Sequence, residues 1–251
     1  MEGSIRFVSE IGWIAAPAGH LSTAQAVLSL RQGGVSPSPY ASLNLGRSAG
    51  DDIEHVAENE ARLARALGLP GEPARARLAH STDVRIVDSA GVYGPYDGLL
   101  TCRRGLPLWL TVADCLPVFL ASETGEWIGL LHCGWRGTAS GCIASMIRRM
   151  VEASGKPAST IRAWLGPGIG PSCYPVGPDV AARFPAESVT RAEGGTHLDL
   201  GRAAEILLRD AGLLPASILR SALCTSCRPD LFFSYRRDGI RSGRMAAVVW
   251  T

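Results

Sequence analysis

Three side chains that could bind a metal ion stand where predicted strands give way to turns. His80 precedes a polar turn, Cys115 follows an apolar run, and His132 comes directly after the run Trp127–Leu131. Two imidazoles and one thiolate leave a fourth position on zinc open, which is typical of catalytic zinc. The spacing matches no local ligand motif, so a zinc site and a Cys-His nucleophile pair remain alternatives at this point.

A glycine-flanked turn follows His132 and contains Arg136 between Gly134 and Gly137. We expect a helix to begin next to it, at Thr138. Backbone N–H groups at a helix start, together with a guanidinium, can hold a phosphate or a carboxylate. The alternative is a tight turn around a packed tryptophan.

Two further segments carry reactive or charged side chains near the C-terminal end of the sequence. Cys224 and Cys227 form a Cys-x-x-Cys pair without a second pair or a following helix start, so we interpret them as ordinary thiols. The segment Ser234–Gly239 concentrates arginine next to Phe232 and Phe233. It could close over an anionic or ring-bearing ligand, or form a solvated hairpin with Asp-Gly in its turn.

Hydrophobic periodicity and capping residues predict three helices, each of which ends at a glycine. Six short runs rich in β-branched and aromatic residues predict strands. The runs between residues 108 and 131 leave no room for a crossover helix, so we expect mixed or antiparallel sheets, an α+β fold and a single domain over residues 1–251. The predicted helices are Asp52–Leu67, Thr138–Ala153 and Leu200–Ala211, and the predicted strands are Val84–Val87, Leu108–Val112, Val118–Ala121, Trp127–Leu131, Ile161–Leu165 and Ala246–Trp250.

Composition excludes several classes of protein. The 251 residues are 46% hydrophobic and 19% charged, and 25 basic against 23 acidic side chains give a formal charge of +2. The basic residues are arginines except Lys156 and form no block, so nothing indicates nucleic-acid binding. The sequence predicts no signal peptide and no membrane span, because its most apolar stretch, Leu106–Ala121, is broken by proline and aspartate. We therefore expect a cytoplasmic protein with seven reduced or metal-bound cysteines. Whether it has protein partners is unknown from the sequence.

Six groups of residues form a series of short motifs. They are Ser42–Gly46, Asp51-Asp52 with Val56–Asn59, Ala113–Pro117, His132 with Gly134–Gly137, Gly166–Pro171, and Phe233–Arg237 with Gly243–Met245. Their order resembles the laccase-domain family, also called the polyphenol oxidase or multicopper-oxidase-like YfiH family. Its members include a bacterial peptidoglycan-editing factor and a mammalian purine-metabolising protein. The resemblance extends from about Tyr40 to Thr251.

The resemblance implies a layered α-β-β-α fold and one zinc ion. The family's metal ligands correspond to His80, Cys115 and His132, of which Cys115 and His132 are also the expected catalytic residues. The sequence departs from the family pattern in two places. His80 lies in Ala-His-Ser rather than Val-His-Gly, and Cys133 replaces the usual alanine, which adds a thiol next to the expected metal site.

The resemblance also implies an activity. Family members act as purine nucleoside phosphorylases on adenosine, inosine and methylthioadenosine, and deaminate adenosine. Purine nucleosides and phosphate are thus the expected partners, and zinc with an open position fits either reaction. Asn44 and Arg47 resemble residues of the family's pocket, Tyr235 and Arg236 are expected to cover the nucleoside, and Arg136 to neutralise phosphate charge.

Other functions remain open on the sequence. A copper-dependent polyphenol oxidase is one alternative, although blue copper usually adds an axial methionine and a multicopper cluster would need more than the five histidines present. A cysteine hydrolase with Cys115 as nucleophile and His132 as base would explain peptidoglycan editing more directly. A binding module without activity would leave the open metal position without a purpose.

Overall fold

The computed structural model describes residues 3–192 and 195–251. The strands in these ranges are β1 (Ser4–Val8), β2 (Ile11–Ala15), β3 (Gln25–Ser29), β4 (Ala74–Ala76), β5 (Val84–Ile86), β6 (Gly91–Tyr93), β7 (Gly98–Thr101), β8 (Leu108–Val112), β9 (Leu116–Ser122), β10 (Ile128–Cys133), β11 (Ile161–Leu165), β12 (Val189–Ala192), β13 (Gly195–Leu198), β14 (Ile218–Arg220) and β15 (Met245–Trp250). The α-helices are α1 (Ile53–Leu67), α2 (Trp135–Ala139), α3 (Cys142–Ser154), α4 (Pro178–Ala181), α5 (Leu200–Asp210) and α6 (Tyr235–Asp238).

The strands form two large mixed sheets and a small hairpin. The seven-stranded sheet has the order β1-β2-β3-β15-β8-β4-β6, and the six-stranded sheet has the order β14-β11-β9-β10-β7-β5. Most neighbouring strands are antiparallel, whereas β4 pairs in parallel with β6 and β8, β5 with β7, and β11 with β14. The expected mixed sheets and α+β class are therefore confirmed.

Alternating side chains along the central strands explain why the sheets are layered. In β15, Ala247 and Val249 pack into the core between the two sheets, whereas Val248 faces the outer side together with Leu63 of α1. In β9, Phe119 belongs to the core between the sheets, while alternate residues of the strand pack with α3 and α5. Because side chains alternate with a period of two, each sheet is apolar on both faces and is covered by the other sheet and by helices.

The long predicted helices are present, with shifted ends. The Asp52 side chain accepts a hydrogen bond from the Glu54 N–H and caps α1, and Gly68 ends that helix in the left-handed region at φ 60°. Asp199 caps α5 in the same way. The helix predicted from Thr138 is instead divided into α2 and α3, with Gly141 at φ 95° between them. No helix in the described ranges is long and apolar enough to cross a membrane.

The C-terminal arginine-rich segment differs from the hairpin that we weighed against ligand closure. It forms the short helix α6 and a following turn of 3₁₀-helix over Gly239–Arg241. The Ser234 side chain caps α6 by accepting from the Arg237 N–H. The Asp-Gly pair therefore lies at a helix end rather than in a strand turn.

The sequence prediction found only one of the three-residue strands, β5, which lies within the predicted Val84–Val87. It missed β4, β6 and β14, which are too short to show an alternating pattern. β1 lies at an edge of the seven-stranded sheet and leaves Ile5, Phe7 and Val8 exposed, so its apolar residues do not mark a buried face.

Candidate metal site and cleft

The candidate site lies where the chain crosses from one sheet to the other. β8 belongs to the seven-stranded sheet and β9 to the six-stranded sheet, and Cys115 is the last residue of the short connection between them. β9 and β10 are antiparallel, with His132 opposite Pro117 and Cys133 opposite Leu116. One residue further along this register, Gly134 comes opposite Cys115. Strand pairing alone therefore places the end of β10 against Cys115.

The structure brings the three predicted ligands together. The ligand atoms of His80, Cys115 and His132 all lie within 4.8 Å of one another. The two imidazole rings meet edge to face, with centroids 4.9 Å apart. A β-carbon at Gly134 would be 2.9 Å from His80 Nδ1 and 3.1 Å from Cys115 Sγ, so the space next to this glycine is open only because it has no side chain. The donor set and the space fit a metal ion such as zinc.

Asp97, which the sequence analysis missed, organises two of these ligands. Its Oδ1 atom lies 2.8 Å from His132 Nδ1 and accepts the His80 backbone N–H at 3.0 Å. Its Oδ2 atom accepts the N–H groups of Ala79 and Ser81. A carboxylate on Nδ1 leaves Nε2 of His132 free for a metal ion, and such carboxylates orient metal-bound histidines in many proteins.

The electrostatics of the site favour a positive charge beside His132. Burial alone would lower the pKa of His132, but the Cys115 sulfur and the Asp97 carboxylate outweigh it and raise that pKa to about 10. Burial and the neighbouring His132 lower the pKa of His80. Burial raises the pKa of Asp97, yet hydrogen bonds from His132 and the backbone hold it at about 2. A proton or a metal ion can supply the positive charge that this arrangement stabilises.

Asp114 fixes the other side of the site. It has φ 81° and stands directly before Cys115. Its side chain accepts hydrogen bonds from Thr225 Oγ1 at 2.6 Å, Ser234 Oγ at 3.0 Å and the Arg236 N–H at 2.6 Å. One buried carboxylate therefore connects the Cys115 turn to the segment around Thr225 and to the start of α6.

His80, Cys115 and His132 line a cleft of about 910 Å³. Its walls combine aromatic rings with guanidinium groups, which suit a flat base and an anion. The aromatic residues are Trp109, Trp135, Tyr174 and Tyr235. The arginines are Arg47, Arg75, Arg77, Arg136, Arg236 and Arg244.

Glu60 of α1 arranges the arginines at one end of the cleft. It receives two hydrogen bonds from Arg47, at 3.0 and 2.6 Å, and lies 3.3 Å from Arg75. The Arg75 guanidinium stacks 4.7 Å from the Trp109 ring centroid. Its Nη1 atom is buried and has no hydrogen-bond partner in the described part of the chain. A buried donor without a partner in a cleft is a suitable contact for a ligand acceptor.

Most of the other predicted site residues reach the cleft. Arg47, Arg136, Tyr235 and Arg236 line it, with the Arg136 guanidinium 4.6 Å from the centroid of the adjacent Trp135 ring. Asn44 is different because it is fully buried and does not line the cleft. Its Oδ1 atom accepts the N–H groups of Gly46 and Arg244, and its Nδ2 atom donates to Asp51, so its contacts are with neighbouring loops.

The structure gives the remaining cysteines different neighbours from those expected. Cys133 is buried, and its sulfur lies 3.7 Å from that of Cys142 and is not part of the His-Cys-His group. Cys224 and Cys227 have a third partner, Cys173, whose sulfur lies 3.2 Å from that of Cys227. The sequence contains no second Cys-x-x-Cys pair, and the structure adds this single cysteine from a separate segment. Cys173 is 54 residues from Cys227 in the sequence, so no local motif predicts that the two sulfurs are neighbours.

Fold and site together define a layered α+β protein with a His-Cys-His group in the lining of an arginine-rich cleft. The chain belongs to the multi-copper polyphenol oxidoreductase laccase family, whose model matches residues 25–251. The family resemblance seen in the sequence is thereby confirmed.

Relatives and solved structures support the same assignment. A purine nucleoside phosphorylase from Xylella fastidiosa is 42% identical and covers 90% of this chain and 91% of its own length. Purine nucleoside phosphorylase YlmD from Geobacillus stearothermophilus is 35% identical, with coverage of 95% and 94%. The crystal structure of YlmD from that organism matches with a TM-score of 0.90 at 32% identity, covering 99% of this chain and 98% of that chain. Bacillus licheniformis hypothetical protein YfiH gives 0.88 at 31% identity, with 98% of both chains covered.

Proposed function

We propose that this protein is a zinc-dependent purine nucleoside phosphorylase acting on adenosine, inosine and methylthioadenosine, with adenosine deaminase activity at the same site. The observation that carries the proposal is the His80, Cys115 and His132 group in the lining of a cleft that also contains arginines and aromatic rings. The names of the relatives at 35–42% identity support phosphorolysis.

We assign the metal to His80, Cys115 and His132. Zinc held by two imidazoles and a thiolate would keep an open position and act as a Lewis acid toward a phosphate oxygen or a water molecule. Asp97 keeps His132 in the tautomer that presents Nε2, and its three backbone hydrogen bonds hold the turn that carries His80. Copper is the alternative metal for this donor set.

The arginines of the cleft bind and orient phosphate in this proposal. In phosphorolysis a phosphate oxygen forms a bond to the ribose anomeric carbon while the bond to the purine nitrogen breaks. Arg136 and Arg236 line the cleft together with the metal ligands, so they are the guanidiniums that we assign to the phosphate dianion. Arg47 and Arg75 lie near Glu60, and the free Nη1 donor of Arg75 is assigned to an acceptor on the nucleoside.

Aromatic side chains exclude water from the base. Tyr235 and Trp109 line the cleft and offer ring faces on which a purine can stack. Burial raises the pKa of Tyr174 to about 12, so its phenol is neutral and can donate a hydrogen bond. Asn44 supports these walls through its bonds to Gly46 and Arg244 and is assigned a positioning role.

The geometry also supports a second function, the cysteine hydrolase weighed on the sequence. Asp97, His132 and Cys115 stand in the order of an acid-base-nucleophile triad. Such a triad gives no role to His80, whose ring reaches the same group of atoms. The metal assignment uses all three side chains, and we therefore prefer it. A copper oxidase has less support, because no methionine lines the cleft among the described residues.

Metal-depleted protein reloaded with zinc tests the proposal. We expect phosphate-dependent release of hypoxanthine from inosine and of adenine from adenosine, and phosphate-independent conversion of adenosine to inosine. Cys115→Ser should lose zinc and both activities, because a hydroxyl is a poor zinc ligand compared with a thiolate. Cys102→Ser changes an exposed cysteine outside the site and serves as the control.

The alternatives predict different results in the same assay. Copper-dependent oxidation of phenols without nucleoside turnover would contradict the proposal in favour of the oxidase. Cleavage of peptidoglycan fragments by metal-free protein, blocked by thiol alkylation, would favour the hydrolase. Residence in the cytoplasm remains a prediction.

A further inference from the structure

A second group of sulfur atoms lies outside the His-Cys-His site. The sulfurs of Cys173, Cys224 and Cys227 are all within 4.8 Å of one another, and those of Cys173 and Cys227 are 3.2 Å apart. Cys227 is exposed, and the other two are partly buried. Solvent can therefore reach the group from one side.

Backbone contacts hold these sulfurs in place. The Gly170 N–H donates to Cys224 Sγ at 3.1 Å, and the Thr225 N–H donates to the Gly168 carbonyl at 3.0 Å. Cys173 ends a short 3₁₀ turn that begins at Pro171. Two separate segments thus present three sulfurs to one point, and an N–H···S bond of this kind supports a negatively charged thiolate.

We propose that Cys173, Cys224 and Cys227 form a second metal site, which binds a soft d¹⁰ cation, Zn²⁺ or Cu⁺. Three thiolates are the preferred donors for such ions, and they fit hard cations such as Mg²⁺ poorly. The thiols release their protons on binding, and the exposed side leaves room for a water molecule as a fourth ligand on Zn²⁺. A Cys173–Cys227 disulfide would use only two of the three sulfurs.

The position of this site gives the ion a structural role. Cys173 precedes Tyr174, which lines the cleft. The guanidinium carbon of Arg236 lies 5.1 Å from the centroid of the Tyr174 ring. Between Cys224 and Cys227, Thr225 donates to Asp114, the residue before Cys115. An ion bound by all three sulfurs would connect Tyr174 in the cleft wall to Thr225, which holds Asp114 next to the first site. It would stabilise both without contacting the substrate.

Metal stoichiometry under reducing conditions tests the second site. The double variant His80→Ala/Cys115→Ser removes two ligands of the first site, and neither side chain is fully buried. We expect this variant to keep one equivalent of bound Co²⁺ or Zn²⁺. Its thiolate-to-cobalt absorbance should be roughly three times that of Cys173→Ser/Cys227→Ser, because three thiolates replace one. Cu⁺ uptake is measured separately by competition with a chromogenic chelator.

Single variants keep the proposal testable if a double variant fails to fold. Cys227→Ser alters an exposed side chain and should reduce the stoichiometry from two ions to one, whereas Cys102→Ser should leave it at two. The proposal is overturned if folded His80→Ala/Cys115→Ser with free thiols binds neither Zn²⁺ nor Cu⁺. A Cys173–Cys227 disulfide that persists in reductant would overturn it as well.

Discussion

A single carboxylate serves both histidines of the candidate site. Asp97 is fully buried directly before β7. Its Oδ1 atom contacts both the His132 ring and the His80 N–H, and its Oδ2 atom accepts from the backbone on either side of His80. Because both ligands depend on it, their mutual geometry is set before any metal ion binds. Preorganisation of this kind raises metal affinity without an additional ligand.

Replacing Asp97 by asparagine should therefore weaken zinc binding. The amide keeps the shape of the side chain but cannot accept all the N–H groups that the carboxylate accepts, so we expect a loss of about 10–100-fold in zinc affinity. Competition with a chromophoric chelator measures it in protein with unchanged circular dichroism. Asp83→Asn, an exposed aspartate nearby in sequence, is the control. Unchanged affinity in Asp97→Asn would show that the ligands orient themselves.

Gly134 provides a steric test of the same site. In Gly134→Ala the new methyl group would stand 2.9 Å from His80 Nδ1 and 3.1 Å from Cys115 Sγ, so one of the ligands must move. We expect zinc affinity to fall at least about ten-fold, in line with displaced ligands, while the unfolding midpoint stays close to that of the wild type. Gly71→Ala, whose methyl group meets only a carbonyl oxygen at 3.4 Å, is the matched control.

At the scale of elements, helix α1 holds the loop that precedes it and two arginines of the cleft. Asn59 accepts from the Val35 N–H and donates to Ser36 and to the carbonyls of Ser42 and Asn44. One turn of the helix thus fixes the long loop that precedes it. The neighbouring Glu60 fixes the arginines, so α1 links loop conformation to the charge of the cleft.

Glu60→Gln should destabilise the protein, because it removes a nearly buried carboxylate from two guanidiniums. We expect a loss of about 1–3 kcal/mol in the free energy of unfolding, measured by urea titration. Glu58→Gln, on the exposed face of the same helix, breaks only a surface pair with Arg62 and should cost less than about 1 kcal/mol. Equal losses in the free energy of unfolding for the two variants would show that the ion pairs of Glu60 stabilise the protein no more than a surface pair.

Sequence periodicity was most informative for the long elements and for residues at their ends. β8 and β11 have the predicted bounds, and the ends of α1 follow from Asp52 and Gly68. His80, Cys115 and His132 were predicted as metal ligands because strand ends often carry functional residues, and the structure brings their ligand atoms together. Asp97 was missed because Tyr96-Asp97-Gly98 has the composition of an ordinary turn, and its partners are 16 to 35 residues distant in the chain.

At the scale of the whole molecule, the two large sheets share one core. Leu28 and Val249 of one sheet and Leu130 and Trp164 of the other belong to the same buried cluster. Neither sheet can expose this face to water without a large loss of hydrophobic stabilisation. We therefore propose that residues 1–251 form a single folding unit.

Unfolding in urea should accordingly show one transition, with tryptophan fluorescence and far-ultraviolet circular dichroism following the same curve. Leu130→Ala removes a fully buried side chain between the sheets and should lower the free energy of unfolding by about 2–5 kcal/mol without separating the two signals. Two resolved transitions in either protein would indicate independent units.

The predominance of arginine has a practical consequence for handling the protein. The sole lysine, Lys156, is exposed in the turn after α3 and is not part of the cleft. Its ammonium is the one amine among the side chains, whereas the cleft carries guanidiniums, which amine-reactive esters modify poorly. Coupling through this side chain would therefore attach the molecule to a biosensor surface without modifying any residue that lines the cleft.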